Sequence, residues 1–310
     1  MKLCEQEKNQ RRSKLTQHLK SYYWLYLFMI PALIWLIIFC YAPMGGIVIA
    51  FKRYTGALSV WESKWVGLKW FKSFFNSFYA TTVIKNTLLL SAYSLLTFPL
   101  PIIFALMINE IANPRYKKVI QTVMYAPHFI STVVIVSMLN IFLADSGLVN
   151  HFIQALGMDG LNFLTSSSAF RHVYVWSGVW QNLGWNCIIY VAALSGVDPA
   201  LHEAAILDGA TRLQRIWHIN LPAILPTVMI MLIMQVGSIM ASDTAKVLLM
   251  LNDLNADTAE IIGTFVYDRG LLSGDYSYAT AVGLFTNIVN LILLLSVNKF
   301  SEKVTETSLF

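Results

Sequence analysis

Apolar residues in this chain gather in long runs separated by short polar segments. Six runs stand out, at roughly 23–44, 82–109, 119–144, 172–197, 223–242 and 276–298. Crossing a hydrocarbon core of about 30 Å takes about 20 mostly apolar residues, and a helix can do it because it satisfies its own backbone polar groups. The pattern predicts an all-α integral membrane protein with six transmembrane helices. It divides the chain into a basic tail (1–22), a first helix with an interfacial loop (23–81), a five-helix core (82–298) containing a polar loop at 198–222, and a short tail (299–310).

Composition points the same way. Of 310 residues, 56% are hydrophobic and 13% charged, with a mean hydropathy of +0.58. Soluble domains carry about 45–50% apolar and about 25% charged residues. The first run exceeds the apolar core of a signal peptide and no small-residue cleavage site follows, so it is expected to remain as a span. Cys4, Cys40 and Cys187 fall in the tail and in two separate spans, a placement that predicts small packing residues rather than a disulfide or metal framework.

Lys and Arg collect on the cytoplasmic side of short loops. Lys2, Lys8, Arg11, Arg12, Lys14 and Lys20 therefore place the amino-terminal tail inside, and alternation places Arg115, Lys117, Lys118, Arg212, Arg215, Lys299 and Lys303 there as well. Both termini are expected in the cytoplasm. The loop 243–275 is acidic (Asp243, Asp253, Asp257, Glu260, Asp268, Asp275 against Lys246 and Arg269), which suits an outer face. The loop 51–81 departs from the rule: it is assigned outside yet carries Lys52, Arg53, Lys64, Lys69 and Lys72. Its aromatics (Trp61, Trp65, Trp70, Phe71, Phe74, Phe75, Phe78) predict an amphipathic segment along the interface, either an anchor or a basic contact for an external partner or acidic ligand.

The spans hold few ionisable groups. Ion-coupled carriers place such groups in the membrane, but here Lys85 and Glu110 only bracket the second run, and His128, beside Pro127, reads as a hydrogen-bonded histidine near a helix break, with a ligand or proton site as the alternative. There is no G-x-x-x-x-G-K-[ST] loop to cradle phosphates, and no HExxH or GxSxG to support a peptidase. Uphill transport would need a partner's energy.

The polar loop EAAILDGATRLQRIWHINLP sits between two apolar runs. Asp198-Pro199 is a helix start, with Asp capping free N–H groups and Pro fitting the first turn. Gly209 can close that helix as a left-handed cap, Thr211 can cap a second short helix, RLQRIWH, and Pro222 marks a turn into the next span. Leu201, Ala204, Ala205, Leu207, Leu213, Ile216 and Trp217 would be its apolar knobs.

The spacing Glu203-Ala204-Ala205, three residues, Gly209, nine residues, Ile219-x-Leu221-Pro222 resembles the signature of permease subunits of binding-protein-dependent ABC importers. PMGGIVIAFKRY, WVGLKWF, NTLLLS, FPLPIIFALMINE, APHFIS and IIYVAALSGVDPALHEAA are similar to the maltose-permease-like carbohydrate branch, within it the polysaccharide and aldouronate permeases common in Gram-positive bacteria. The resemblance implies a type I importer fold with a cytoplasmic coupling helix, a second permease of similar shape, two ATP-binding cassette ATPase subunits and an extracellular solute-binding lipoprotein in a bacterial cytoplasmic membrane. It implies no cofactor on this chain, ATP-Mg residing on the ATPase, and no nucleic acid. It assigns ATPase coupling to Glu203, Ala204, Ala205, Leu207, Asp208, Gly209, Arg212, Ile219, Leu221 and Pro222.

Sugars are held by aromatic faces and by amide or hydroxyl groups. The fourth run, in WSGVWQNLGWNCIIY, supplies Asn182, Trp185, Asn186 and Tyr190, with Asn182, Trp185 and Asn186 on one face. The fifth supplies a stripe of Met231, Gln235, Ser238 and Ser242. The alternative is that such residues glue helices together, or that tryptophans anchor at the interface. The expected function is a non-enzymatic permease subunit for an oligosaccharide. A non-sugar solute, or an ATPase-independent channel or scaffold, are the competing readings.

Overall fold

The apolar runs fold as helices, and among the described residues there is no strand, only an isolated antiparallel bridge between Lys52 and Trp65. The structure, a computed structural model, describes residues 21–305. The basic tail residues from Lys2 to Lys20, and Cys4, lie outside them. In chain order the elements begin with α1 (Tyr23–Phe51), α2 (Lys69–Phe75), α3 (Phe78–Asn109), α4 (Pro114–Phe129) and α5 (Thr132–Phe142). They continue through α6 (Leu148–Ala155), α7 (Ser167–Ser195), α8 (Pro199–Leu207) and α9 (Arg212–Gly237). The last are α10 (Thr244–Met250), α11 (Ala256–Ala259), α12 (Ile262–Tyr267) and α13 (Tyr276–Thr305).

Among the described residues four helices (α1, α3, α9, α13) are long and apolar enough to cross a membrane, five if the bent pair α4 and α5 is one span. At 29 residues α7 is also long enough, but Arg171, His172, Gln181, Asn182 and Asn186 make it more polar than the others. The third apolar run is therefore not one straight helix: α4 and α5 meet at 95°. Pro127 withholds a backbone donor there, and Ser131 starts α5 by accepting the Val134 N–H at 3.4 Å.

A second departure lies at Pro222. The expected turn is absent, and α9 runs unbroken from Arg212 to Gly237. Residues Ile216–Asn220 widen into a π turn, the Leu221 N–H reaching the Ile216 carbonyl. The wider turn absorbs the donor that Pro222 lacks.

Two helices organise the packing. α7 lies against α3, α9 and α4, while α13 lies against α9, α12, α2 and the end of α1. One apolar cluster joins Phe170, Tyr174 and Val175 of α7 to Leu90, Val247 and Ile261; another joins Cys187, Tyr190 and Leu194 of α7 to Ile102, Ala105 and Ile224. A third gathers Ala80, Val83, Ile262, Phe265 and Val282 around Phe74. Gly184 sets the approach of α7 to α4, since a Cβ there would stand 2.1 Å from the Met124 carbonyl oxygen. By contrast, no residue from Tyr23 to Leu36 in α1 is buried within the chain, which leaves that apolar surface for lipid or another subunit.

The segment 51–81 contains the short helix α2 and packs part of its length onto the bundle. The Trp70 indole donates to the Lys52 carbonyl at 2.9 Å, and Phe74 is buried against Phe265 and Phe285. Trp61, Trp65, Phe75 and Phe78 remain exposed. The acidic segment 243–275 also folds inward, because its own apolar stretches bury Val247, Ile261, Ile262 and Phe265.

Candidate functional site

Two features converge on α7 and α9: a projecting hairpin between them and a polar cavity that both line. Local chemistry builds the hairpin. Asp198 Oδ1 accepts the Ala200 N–H at 2.9 Å, with Pro199 at the first helical position of α8. At the other end Gly209 has φ +78°; its N–H donates to the Ile206 carbonyl at 3.0 Å and the Ala210 N–H donates to that of Ala205 at 2.8 Å. This is a Schellman closure, in which a left-handed residue satisfies the last carbonyls of the helix. Thr211 then opens α9 in a capping box: Gln214 Oε1 accepts the Thr211 N–H at 2.7 Å and Thr211 Oγ1 accepts the Gln214 N–H at 3.4 Å. The role of Gln214 is missed in the sequence reading, although T-x-x-Q before an apolar run signals it.

Every joint of the hairpin is thus pinned by its own sequence, while its surface is left uncovered. Leu207 is 89% exposed and Leu213 70%. Leu201, Ile206 and Trp217 are also exposed, as are Glu203, Ala204, Asp208, Gly209, Arg212 and Pro222; Ala205, Ile216, Ile219 and Leu221 are half-buried. An apolar patch of this kind marks an interaction surface.

The cavity, about 470 Å³, lies among α3, α7, α9 and α10, within the range of about 300–1,000 Å³ usual for ligand sites. Five of the six expected pathway residues line it: Asn182, Asn186, Tyr190, Gln235 and Ser238. Trp185 does not. It stacks on His128 at 4.3 Å between ring centroids and 10° between planes, turned towards the break between α4 and α5. His128 Nδ1 is also 3.0 Å from Asn182 Oδ1, and Asn182 Nδ2 donates to the Gly178 carbonyl at 3.1 Å. Asn182 therefore braces the break as well as lining the cavity. Ser238 Oγ donates back to the Met234 and Gln235 carbonyls, both at 3.2 Å.

Tyr174, Asp243 and Lys246 also line the cavity, and sequence reading leaves them out because Asp243 and Lys246 fall in an outer loop. The Asp243 side chain caps α10 by accepting the Lys246 N–H at 3.0 Å, and the Asp243 N–H donates to Tyr174 Oη at 3.2 Å. Lys246 is carried inward, with 3% of its surface exposed. Its Nζ donates to the Tyr174 carbonyl at 3.0 Å and stands 4.9 Å from the Tyr174 ring centroid. Burial pushes the ammonium down to about 8, against the opposing pull of Asp243. The Asp-T-A-K pattern, a helix start with a cation three residues on, is the signal that finds it.

Amides, a phenol and an ammonium around an open space can bind a polar solute by hydrogen bonds; nothing here assembles a nucleophile with a base. Among the described residues no group of three or more His, Cys, Asp or Glu side chains is placed to hold a metal.

Protein LplB of Bacillus subtilis (strain 168) is 43% identical over 294 residues, covering 94% of this chain and 92% of that protein. The polygalacturonan/rhamnogalacturonan transport system permease protein YteP of the same organism is 42% identical over 305 residues, covering 98% and 95%. Among solved structures, a chain of a bacterial alginate ABC transporter in complex with alginate pentasaccharide-bound periplasmic protein superposes with a TM-score of 0.88 at 38% identity, covering 94% of this chain and 99% of that one. Residues 97–306 match the family described as binding-protein-dependent transport system inner membrane component. With that match over most of its length, the chain belongs to the family of inner membrane components of binding-protein-dependent transport systems, and is a transport subunit rather than an enzyme.

Proposed function

We propose that this chain is a permease subunit of an ATP-driven importer and forms half of the translocation pathway for an oligosaccharide delivered by an extracellular solute-binding protein. The observation that carries the reading is connectivity. The hairpin joins α7 and α9, two of the helices that wall the cavity, and its second helix is the start of α9. A force on the exposed hairpin is thus a force on the cavity wall, without a flexible joint at Pro222 to dissipate it.

In this reading six spans (α1, α3, the bent α4–α5 unit, α7, α9 and α13) place both termini and the hairpin in the cytoplasm. The hairpin is the coupling helix, seated in a cleft of one of two ATPase subunits that hold ATP-Mg, and a second permease completes the pathway. Closing of the ATPases on ATP then switches the walls between two packings, a rigid-body transition between discrete states. The amide and phenol groups of Asn182, Asn186, Tyr190 and Gln235 suit the hydroxyl groups of a sugar chain. The YteP name and the saccharide-bound alginate transporter complex support a sugar as cargo.

Affinity purification from the native membrane tests the assembly. A second permease and an ATPase should come down with this chain; the chain coming down alone would remove the basis of the reading. For the pathway, Gln235→Ala and Asn182→Ala should each lower uptake per assembled complex by about tenfold, the value of one or two hydrogen bonds. Unchanged uptake curves would reassign both residues to packing.

A further inference from the structure

We infer that Lys246 selects an anionic sugar in the cavity, its ammonium taking a carboxylate of a uronic-acid unit as the chain passes. The inference rests on the importer reading and adds to it a class of substrate and the residue that recognises it.

Four observations meet at this side chain. It lines the same cavity as Asn182, Asn186, Tyr190 and Gln235, so a sugar held by those amides lies within reach of it. It is nearly as buried as the apolar core, a placement that is expensive for a cation and is normally kept where the charge has a task. Its donors are met by a carbonyl oxygen and a ring face rather than by a carboxylate. An ammonium has three N–H donors, so the Tyr174 carbonyl leaves capacity for a ligand. Holding α10 to α7 needs no charge, since the Asp243 N–H to Tyr174 Oη bond already ties the two.

Asp243 is the obvious objection, being an acid on the same wall. Its environment differs: Asp243 is exposed and its side chain caps α10, where water and the helix N-terminus disperse its charge. Lys246 is desolvated, so its field is the less screened of the two. A carboxylate reaching it would form a charge-assisted hydrogen bond, about twice as strong as a neutral one. A neutral hexose at that place would leave the ammonium without an anion.

The test compares uptake of an oligogalacturonate with uptake of the same oligomer after its carboxyl groups are reduced to alcohols, in the complete importer. The readout is the ratio of the two, normalised to complex in the membrane. The wild type should prefer the acid. Lys246→Gln and Lys246→Met should lower the ratio about tenfold or more, while Lys246→Arg, which keeps the charge, should hold it within about threefold. An unchanged ratio, or equal loss of both substrates, overturns the proposal and leaves the importer reading intact. So does failure of both neutral variants to assemble, which would mark the ammonium as a structural strut. A wild-type complex that takes up neither oligomer in either form overturns both readings together.

Discussion

Gly209→Asp is expected to abolish substrate uptake while the chain still reaches the membrane at near-normal abundance. Gly209 holds φ +78° in the closure of α8, and a Cβ built on it would meet no atom within 4 Å. The substitution therefore carries only left-handed backbone strain, about 1–2 kcal/mol, too little to unfold a bundle anchored by three apolar clusters. The functional damage is of another kind. The turn fixes the angle between α8 and α9, and around it Leu207 and Leu213 stand exposed. A carboxylate there would have to be desolvated in any partner's cleft, and a buried unpaired charge is far more costly than the strain. Uptake assays, immunoblots of the membrane fraction and co-purification of the ATPase check this: uptake and ATPase retention should be lost together. Gly209→Asn, which tolerates the left-handed region and adds no charge, should keep part of both. Glu203→Lys should behave like Gly209→Asp, since Glu203 is also exposed on α8. Normal uptake at normal abundance would overturn the coupling role of the hairpin.

Gly184→Leu should act in the opposite way, removing the protein rather than silencing it. At this position even a Cβ would stand 2.1 Å from the Met124 carbonyl oxygen and 3.0 Å from the Tyr125 nitrogen. The obstruction is backbone, which cannot swing aside as a side chain does. Overpacking usually costs about 1–3 kcal/mol and occasionally more; here the upper end or beyond is expected, because α4 is held at this point by the break that begins at Pro127. Separating α7 from α4 would also pull Asn182 from His128 and Trp185 off its stack. The measurement is the thermal midpoint of the detergent-solubilised complex together with chain abundance: Gly184→Ala should lower both measurably and Gly184→Leu should leave little folded chain. An unchanged midpoint for Gly184→Leu would mean that the two helices do not pack this closely.

Much of this molecule was legible along the chain because its rules are local. Backbone polar groups in lipid must be satisfied within a segment, so runs of apolar residues announced the helices. Asp198, Pro199, Gly209 and Thr211 act on neighbours two to five residues away, and the hairpin built from them stands as their order dictates. Spacing likewise put Asn182 and Asn186 on one face of the fourth run and Gln235 and Ser238 in one stripe of the fifth, and all four line the cavity.

What the order of residues left open were the choices settled between distant segments. Hydropathy marks a face as apolar without saying whether lipid or protein will cover it, so Phe74 and Trp61 look alike in sequence, yet one is core and the other exposed. Trp185 shares a helical face with Asn182 and Asn186, but the stacking partner that turns it away, His128, lies on a different helix. Pro222 promised a turn that a π turn upstream made unnecessary. Lys246 sits in an acidic segment that reads as an outer loop, and only the packing of Val247, Ile261 and Phe265 carries its ammonium into the cavity. Helices and caps follow from interactions within a few residues; the contents of the cavity follow from burial shared among segments far apart, which no local pattern encodes.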